Sequence, residues 1–91
     1  MGSFKVSKPY TMPREDIRGA AELLAQELKK RYGLSYRFQG DNATFRRTGL
    51  DGKLRIDDDC IDLDIKMGLL ASAFEKPLKE AITRYLDEYV S

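Results

Sequence analysis

Apolar and polar residues alternate in five short segments of the chain, and this spacing of two predicts strands with one buried face. In residues 4–10 the apolar side chains are Phe4 and Val6, and residues 36–39 repeat the pattern. The clearest alternation is in residues 61–67, where an apolar residue follows each charged one. The predicted strands are 4–10, 36–39, 42–49, 53–56 and 61–67.

Short turn signals separate the last four strands. The segments 40–42, Asp51-Gly52 and 57–59 consist of glycine, aspartate and asparagine, which favour tight turns. Because Asp-Gly is a strong hairpin signal, we place a hairpin turn at Asp51-Gly52. Three short turns between four strands predict an antiparallel meander with one face in water.

Two segments carry apolar residues at helical spacing. The first runs from about Met12 to Tyr32, with Thr11 as the predicted N-cap and Gly33 just past its end. The second lies near the C-terminus, and its apolar stripe contains leucine, isoleucine and tyrosine.

The C-terminal helix has two candidate starts. Ser72 with Glu75 three residues later matches a capping box. Pro77 would kink a helix that begins at Ser72, because an interior proline loses a hydrogen bond and clashes with the preceding turn. We favour a short turn over residues 69–75, followed by a helix that starts near Pro77.

These elements give the order β-α-β-β-β-β-α in a single α+β domain that covers residues 1–91. An amphipathic sheet and amphipathic helices are stable when they bury their apolar faces against each other. We therefore expect an antiparallel sheet with both helices packed on one face.

Composition narrows the class of protein. The chain has 91 residues, 42% hydrophobic and 34% charged, with a formal net charge of +1, which suits a globular domain without a general attraction to polyanions. The single cysteine, Cys60, cannot form an intramolecular disulfide, and no stretch reaches the ~20 apolar residues of a membrane helix. Since the N-terminal residues lack the apolar core of a signal peptide, we expect a soluble cytoplasmic protein.

The residues that usually carry catalysis are scarce. The chain has no histidine, which removes the commonest general base and metal ligand. Cys60 lies among aspartates, whose negative charge raises the pKa of a thiol and makes it a poor nucleophile. The aspartates of residues 57–64 lack the spacing of a calcium-binding loop. We therefore predict no enzyme activity, no catalytic residue, no metal site and no cofactor.

Basic residues are concentrated in residues 29–55, and aromatic residues lie among them. Nucleic-acid-binding sheets combine these residue types, so a nucleic-acid-binding regulator is the alternative function, and its binding should weaken steeply with salt. Alternation argues against it, because most cations fall on the face opposite the aromatic residues. The cations that would form this surface are Arg37, Arg46, Arg47 and Lys53, of which Arg47 alone shares the parity of Phe45.

The longest uncharged stretch of the second half is "MGLLASAF", residues 67–74, which joins the last strand to the final helix. Its large side chains could all pack under that helix. Alternatively, part of the stretch stays exposed and docks on an apolar surface or in a partner's groove. The candidate anchors are Leu69, Leu70 and Phe74.

Three stretches of the chain resemble a known family. They are "GAAELLAQELKKRYGL", "FRRTGLDGKLRIDDDCIDLDIKMGLLASAF" and "LKEAITRYLDEYV". They are similar to the small polyhydroxyalkanoic acid system proteins of bacteria, a family described as granule-associated or granule-regulatory. The resemblance covers nearly the whole chain, and it implies a bacterial cytoplasmic protein with a role at storage-polyester granules.

Together these observations favour a non-enzymatic accessory protein that binds polyester granules, or a protein coating them, through the 67–74 stretch and the final helix. A third hypothesis is a carrier that holds a small molecule between the sheet and the helices, which requires a cavity of roughly a few hundred Å³. The sequence leaves the partner and the oligomeric state open.

Overall fold

The computed structural model describes residues 2–91, with the backbone alone for Leu70. The order of elements is the predicted one, with a short 3-10 segment added before the last helix. The elements are β1 (Gly2–Pro9), α1 (Arg14–Tyr32), β2 (Ser35–Gln39), β3 (Asn42–Arg47), β4 (Leu50–Ile56), β5 (Cys60–Met67), the 3-10 segment (Leu69–Phe74) and α2 (Glu75–Tyr89).

The five strands form one antiparallel sheet in the order β1-β5-β4-β3-β2. β1 therefore pairs with the last strand, so that Gly2 lies opposite Met67 and Pro9 lies opposite Cys60. One face of the sheet is buried and the other is exposed, as the alternation predicted. Both helices pack on the buried face, and the prediction of an α+β fold with that arrangement is confirmed.

The hairpin between β3 and β4 differs from its prediction. The turn lies at Thr48-Gly49, and Asp51-Gly52 lies inside β4. Gly49 has φ of +79° while Thr48 does not have positive φ, and a turn with positive φ at its third residue favours glycine there, because glycine adopts this conformation at low cost. The predicted turn at Asp51-Gly52 was wrong because a turn there would shift Leu50 out of the row of buried residues that continues to Leu54.

Gly52 has a packing role instead. It lies directly opposite Phe45 in the sheet, on the face that the helices cover. A Cβ atom at this position would lie 2.5 Å from Cδ1 of Ile65 and 3.4 Å from Cβ of Phe45. The missing side chain therefore leaves room for Phe45 and Ile65, both of which are buried.

Helix α1 begins two residues later than predicted. Its N-cap is Pro13, without a side-chain hydrogen bond, so the predicted capping role of Thr11 was wrong. The backbone N–H of Thr11 instead donates to the carbonyl of Ser91, which fixes the C-terminus beside the connection between β1 and α1. The predicted C-terminal end is confirmed: Gly33 adopts the left-handed conformation, and its N–H donates to the carbonyl of Lys29.

Helix α2 starts at Glu75 and holds Pro77 in its first turn, where a proline costs no hydrogen bond. The structure thus confirms a short turn before the helix but places the start two residues before Pro77. The capping box does not form, because the Ser72 hydroxyl donates back to the carbonyl of Leu69 at 2.9 Å. That bond closes the 3-10 segment rather than capping α2.

The space between the sheet and the helices is filled by side chains. Phe45, Leu54 and Leu63 from the sheet meet Leu24, Leu28 and their neighbours from the helices, and all of these are at most 1% exposed. A small-molecule carrier would need this same space, so the packing of the core argues against the carrier hypothesis.

Candidate docking surface

The 3-10 segment follows β5 at one end of the sheet, beside the β3–β4 turn. The N–H of Gly68 donates to the carbonyl of Gly49 at 2.7 Å, and the N–H of Ala71 donates to the carbonyl of Gly68 at 3.2 Å. These bonds fix the backbone on both sides of Leu69. The side chain of Ala71 is buried, while that of Leu69 is 79% exposed. The segment therefore anchors itself through Ala71 and presents Leu69 to solvent.

The other two predicted anchors differ from Leu69. Phe74 is half-buried and packs edge-on against the ring of Tyr32, with 6.4 Å between the ring centroids. The guanidinium of Arg47 lies over the Phe74 ring, 5.0 Å from its centroid. Phe74 is thus mainly a packing residue. The side chain of Leu70 lies outside the described part of the structure.

Two further large apolar side chains are exposed. Leu23 on α1 is 54% exposed and Tyr89 on α2 is 51% exposed. Tyr89 stacks on Tyr85 at 4.5 Å between ring centroids, and both rings line a groove between the two helices. Tyr89 belongs to the apolar stripe predicted for the C-terminal helix, so its exposure differs from the expectation. Leu23 falls outside the apolar stripe of the first helix, which was a signal for its exposure.

The groove alters the ionisation of one of its residues. Partial burial, together with the nearby Tyr89, Glu27 and Glu88, raises the pKa of Tyr85 to about 12. An unfolded chain loses this proton near pH 10. The neutral phenol therefore favours the folded state fully below about pH 10, and this contribution is lost as the pH rises through about 12.

We expect the phenolate titration of the Tyr85→Phe variant to lack the step that occurs at the highest pH in the wild type. The measurement is a difference titration by phenolate absorbance, comparing the variant with the wild type under folding conditions. The missing phenol should titrate near pH 12. Loss of a phenol that titrates near the ordinary value of about 10 would contradict this environment.

The exposed face of the sheet is polar, and its charges lie in rows across the strands. One row runs Lys5–Asp64–Lys53, and a neighbouring row runs Lys66–Asp51–Arg46. Each aspartate thus lies between two cations, and Arg46 contacts Asp51 at 3.2 Å. Such cross-strand pairs stabilise the sheet and partly neutralise its surface.

The four cations proposed for nucleic acid binding do not form one surface. Arg37, Arg46 and Lys53 lie on the exposed face, while Arg47 lies at the edge of the helix-covered face and donates to the carbonyl of Tyr32 at 2.6 Å. The aromatic residues of β2 and β3 are on the helix side. Base-stacking rings are therefore separated from most of the cations.

One group of possible ligand atoms occurs at the opposite end of the sheet. A carboxylate oxygen of Asp57, one of Asp62 and the sulfur of Cys60 lie within 4.8 Å of one another. Arg55 pairs with both carboxylates, at 3.4 Å and 3.8 Å. Partial burial and the neighbouring aspartates raise the pKa of the Cys60 thiol. The arrangement is that of an ion-paired turn with an unreactive thiol.

Comparison with known proteins identifies the family. The model of the family described as putative polyhydroxyalkanoic acid system protein matches residues 4–90. The chain belongs to this family. The match includes every helix and strand of the fold and confirms the resemblance seen in the sequence. No curated protein and no solved structure matches the chain.

The family context bears on the exposed Leu69. The description of the family links it to polyhydroxyalkanoic acid and names no site residue. Among the described residues, neither helix has the length and apolar character to span a membrane. The predicted docking residues are neither confirmed nor contradicted by the match.

Proposed function

We propose that this member of the polyhydroxyalkanoic acid system family is a non-enzymatic accessory protein that binds in the cytoplasm to polyester granules, or to a protein that coats them. The observation that carries the proposal is Leu69, a large apolar side chain held 79% exposed by a short, hydrogen-bonded segment. A fold that buries 23 other apolar residues leaves this one in water.

The surroundings of Leu69 support a binding role. The segment is tied to the β3–β4 turn through Gly68 and to the core through Ala71. Contact with a partner would therefore need little ordering of the backbone, which lowers the cost of binding. Complete burial of one leucine contributes about 1.5–3 kcal/mol, enough for a weak contact that additional charges or multiple copies strengthen.

The test is co-sedimentation with isolated polyester granules. We expect Leu69→Asp to lower the bound fraction about tenfold or more, since it removes the apolar contact and places a charge in it. Leu23→Asp is the matched control, because it makes the same change at an exposed leucine of α1. Circular dichroism of both variants checks that each is folded.

Two results would remove the proposed contact. If Leu69→Asp sediments with granules as well as the wild type, Leu69 is not the anchor. If Leu23→Asp loses binding instead, the contact lies on the helix layer and not on the 3-10 segment. Granules stripped of their protein coat separate binding to the polyester from binding to a coat protein.

The alternative function, a nucleic-acid-binding regulator, receives less support from the structure. Its basic residues are divided between the two faces of the sheet, and those on the exposed face are interleaved with aspartates. Nucleic acid binding stays a prediction. It would be recognised by an association constant that decreases steeply as the salt concentration rises.

A further inference from the structure

The two ends of the molecule carry opposite charge. At one end, which we call the basic end, lie the start of β1, the end of β5, the end of α1 and the start of α2. The cations there outnumber the acids Glu27, Asp51 and Glu75, of which Glu27 pairs with Arg31. These cations are Lys29, Lys30, Arg31, Arg46, Arg47, Lys66 and Lys76.

The opposite end, which we call the acidic end, contains the β2–β3 and β4–β5 turns, the start of α1 and the last turn of α2. Acids outnumber cations there, and the cations that are present are largely paired. Arg14 contacts Asp41 at 2.7 Å and Asp58 at 3.3 Å, and Lys8 contacts Asp87 at 3.1 Å. A net charge of +1 therefore conceals a strongly asymmetric distribution.

Charges at the basic end are less fully neutralised. Among the described residues, Lys29, Lys30, Lys66 and Lys76 have no carboxylate within 4.0 Å, and all four are exposed. The C-terminus of α1, which carries a partial negative charge, and the N-terminus of α2, which carries a partial positive charge, meet here, so the two helix dipoles largely cancel. The side chains therefore determine the sign of the charge at this end.

Leu69 protrudes at the same end of the molecule as these cations. It follows Lys66 by three residues on the chain, and the turn beside it follows Arg46 and Arg47 directly. We propose that the basic end is a docking surface for an anionic lipid layer, with Leu69 entering the boundary of the acyl chains and the surrounding cations contacting the headgroups. The proposal rests on the proposed function only in taking the Leu69 end as the contact surface.

A lipid layer fits the shape and chemistry of this end better than a folded partner does. The cations come from four elements and lie at the same end as a protruding leucine, whereas the groove between the helices is lined by residues of α1 and α2. Interfacial binding combines one shallow apolar insertion with cations at the headgroup level. Nucleic acid would use the charges but gain nothing from an exposed leucine.

The asymmetry also orients the molecule. An anionic layer attracts the basic end and repels the acidic end, so the chain should approach with Leu69 leading. Strands of eight residues separate the two ends by about 25 Å, which exceeds the ~10 Å screening length at 0.1 M salt. Charges at the acidic end therefore have little influence once the basic end is in contact.

The experiment is co-sedimentation of the full chain with two kinds of vesicle, phosphatidylcholine alone and an equimolar mixture of phosphatidylcholine and phosphatidylglycerol. We expect binding to the mixture only, and a marked decrease at high salt. Lys29→Gln/Lys30→Gln should lower the partition coefficient about 25-fold, at about fivefold for each cation near the surface. Leu69→Ser should lower it about tenfold.

Matched control variants make the same chemical changes at other positions, so they separate the effect of position from the effect of the change itself. Lys8→Gln/Arg55→Gln removes the same number of charges at the acidic end, and Leu23→Ser makes the same apolar change on α1. Both controls should bind within about twofold of the wild type. Equal binding to the two kinds of vesicle, or equal losses in the control and test variants, would overturn the proposal.

Two further outcomes distinguish this proposal from others. If the chain ignores both vesicles but binds a labelled DNA duplex through Lys29 and Lys30, the basic end is a nucleic acid surface and the lipid proposal fails. If Leu69→Asp abolishes granule binding while the wild type ignores anionic vesicles, the lipid proposal fails and the proposed function stands. Vesicle binding as expected without granule binding supports the lipid proposal and removes the proposed function.

Discussion

Replacing Phe45 by alanine is expected to lower the free energy of unfolding by about 3–5 kcal/mol. Phe45 is 1% exposed, and it lies in β3 opposite Gly52, under the helix layer. The residue directly opposite has no side chain, so it cannot fill the cavity that the ring would leave. A domain of this size has about 5–14 kcal/mol of stability in total, so urea unfolding monitored by circular dichroism should show a large decrease.

Phe38→Ala on the edge strand β2 is the matched control. Phe38 is only half-buried, with the guanidinium of Arg18 over its ring at 4.3 Å, so its loss should cost distinctly less. The double variant Gly52→Val/Ile65→Val adds a second check on this packing. Gly52→Val should be destabilising alone, by about 1–3 kcal/mol from overpacking, and less so when the Cδ1 methyl group of Ile65 is absent. Equal costs in both backgrounds would contradict the close packing of Ile65 against Gly52.

Much of the fold could be predicted because the sheet has one wet face. Alternation in β5, for example, places Ile61, Leu63 and Ile65 on one side, and the structure buries all three. The same parity placed most cations opposite the aromatic residues and singled out Arg47 as the exception. The structure confirms that exception, since Arg47 lies beside Tyr32 and Phe74 on the helix side.

Short motifs for turns and helix caps predicted the structure less reliably than the spacing of apolar residues along the chain did. Asp51-Gly52 is a strong hairpin signal, but its glycine serves the packing of Phe45 and Ile65 within a strand. Ser72 and Glu75 match a capping box, but Ser72 bonds to the carbonyl of Leu69 instead. In both cases tertiary packing decided between two local conformations that the residues allow about equally.

The sequence indicated which segment to consider as the candidate site, but not which of its side chains are exposed. The uncharged run 67–74 contains the exposed Leu69, yet composition does not show which of its apolar residues faces out. The 3-10 geometry buries Ala71 and exposes Leu69, while Tyr32 and Arg47 partly cover Phe74. The opposite charge of the two ends was also hidden, because it follows from the antiparallel pairing of β1 with β5.

The adjacent arginines of β3 offer a direct comparison of a packed cation with a surface one. We expect Arg47→Ala to lower the free energy of unfolding by about 2 kcal/mol. Its guanidinium donates to the carbonyl of Tyr32 at 2.6 Å and lies 5.0 Å from the centroid of the Phe74 ring. A hydrogen bond from a charged donor and a cation–π contact each contribute on the order of 1 kcal/mol at a partly exposed site.

Arg46→Ala should change the free energy of unfolding by less than about 1 kcal/mol, because the contact of Arg46 with Asp51 is an exposed ion pair. Both variants remove one positive charge from the same end of the molecule, so a difference between them reports contacts rather than net charge. Arg47→Lys keeps the charge but loses the planar group over Phe74, and it should recover only part of the stability. Equal urea midpoints for Arg46→Ala and Arg47→Ala would show that Arg47 does not hold the 3-10 segment to α1.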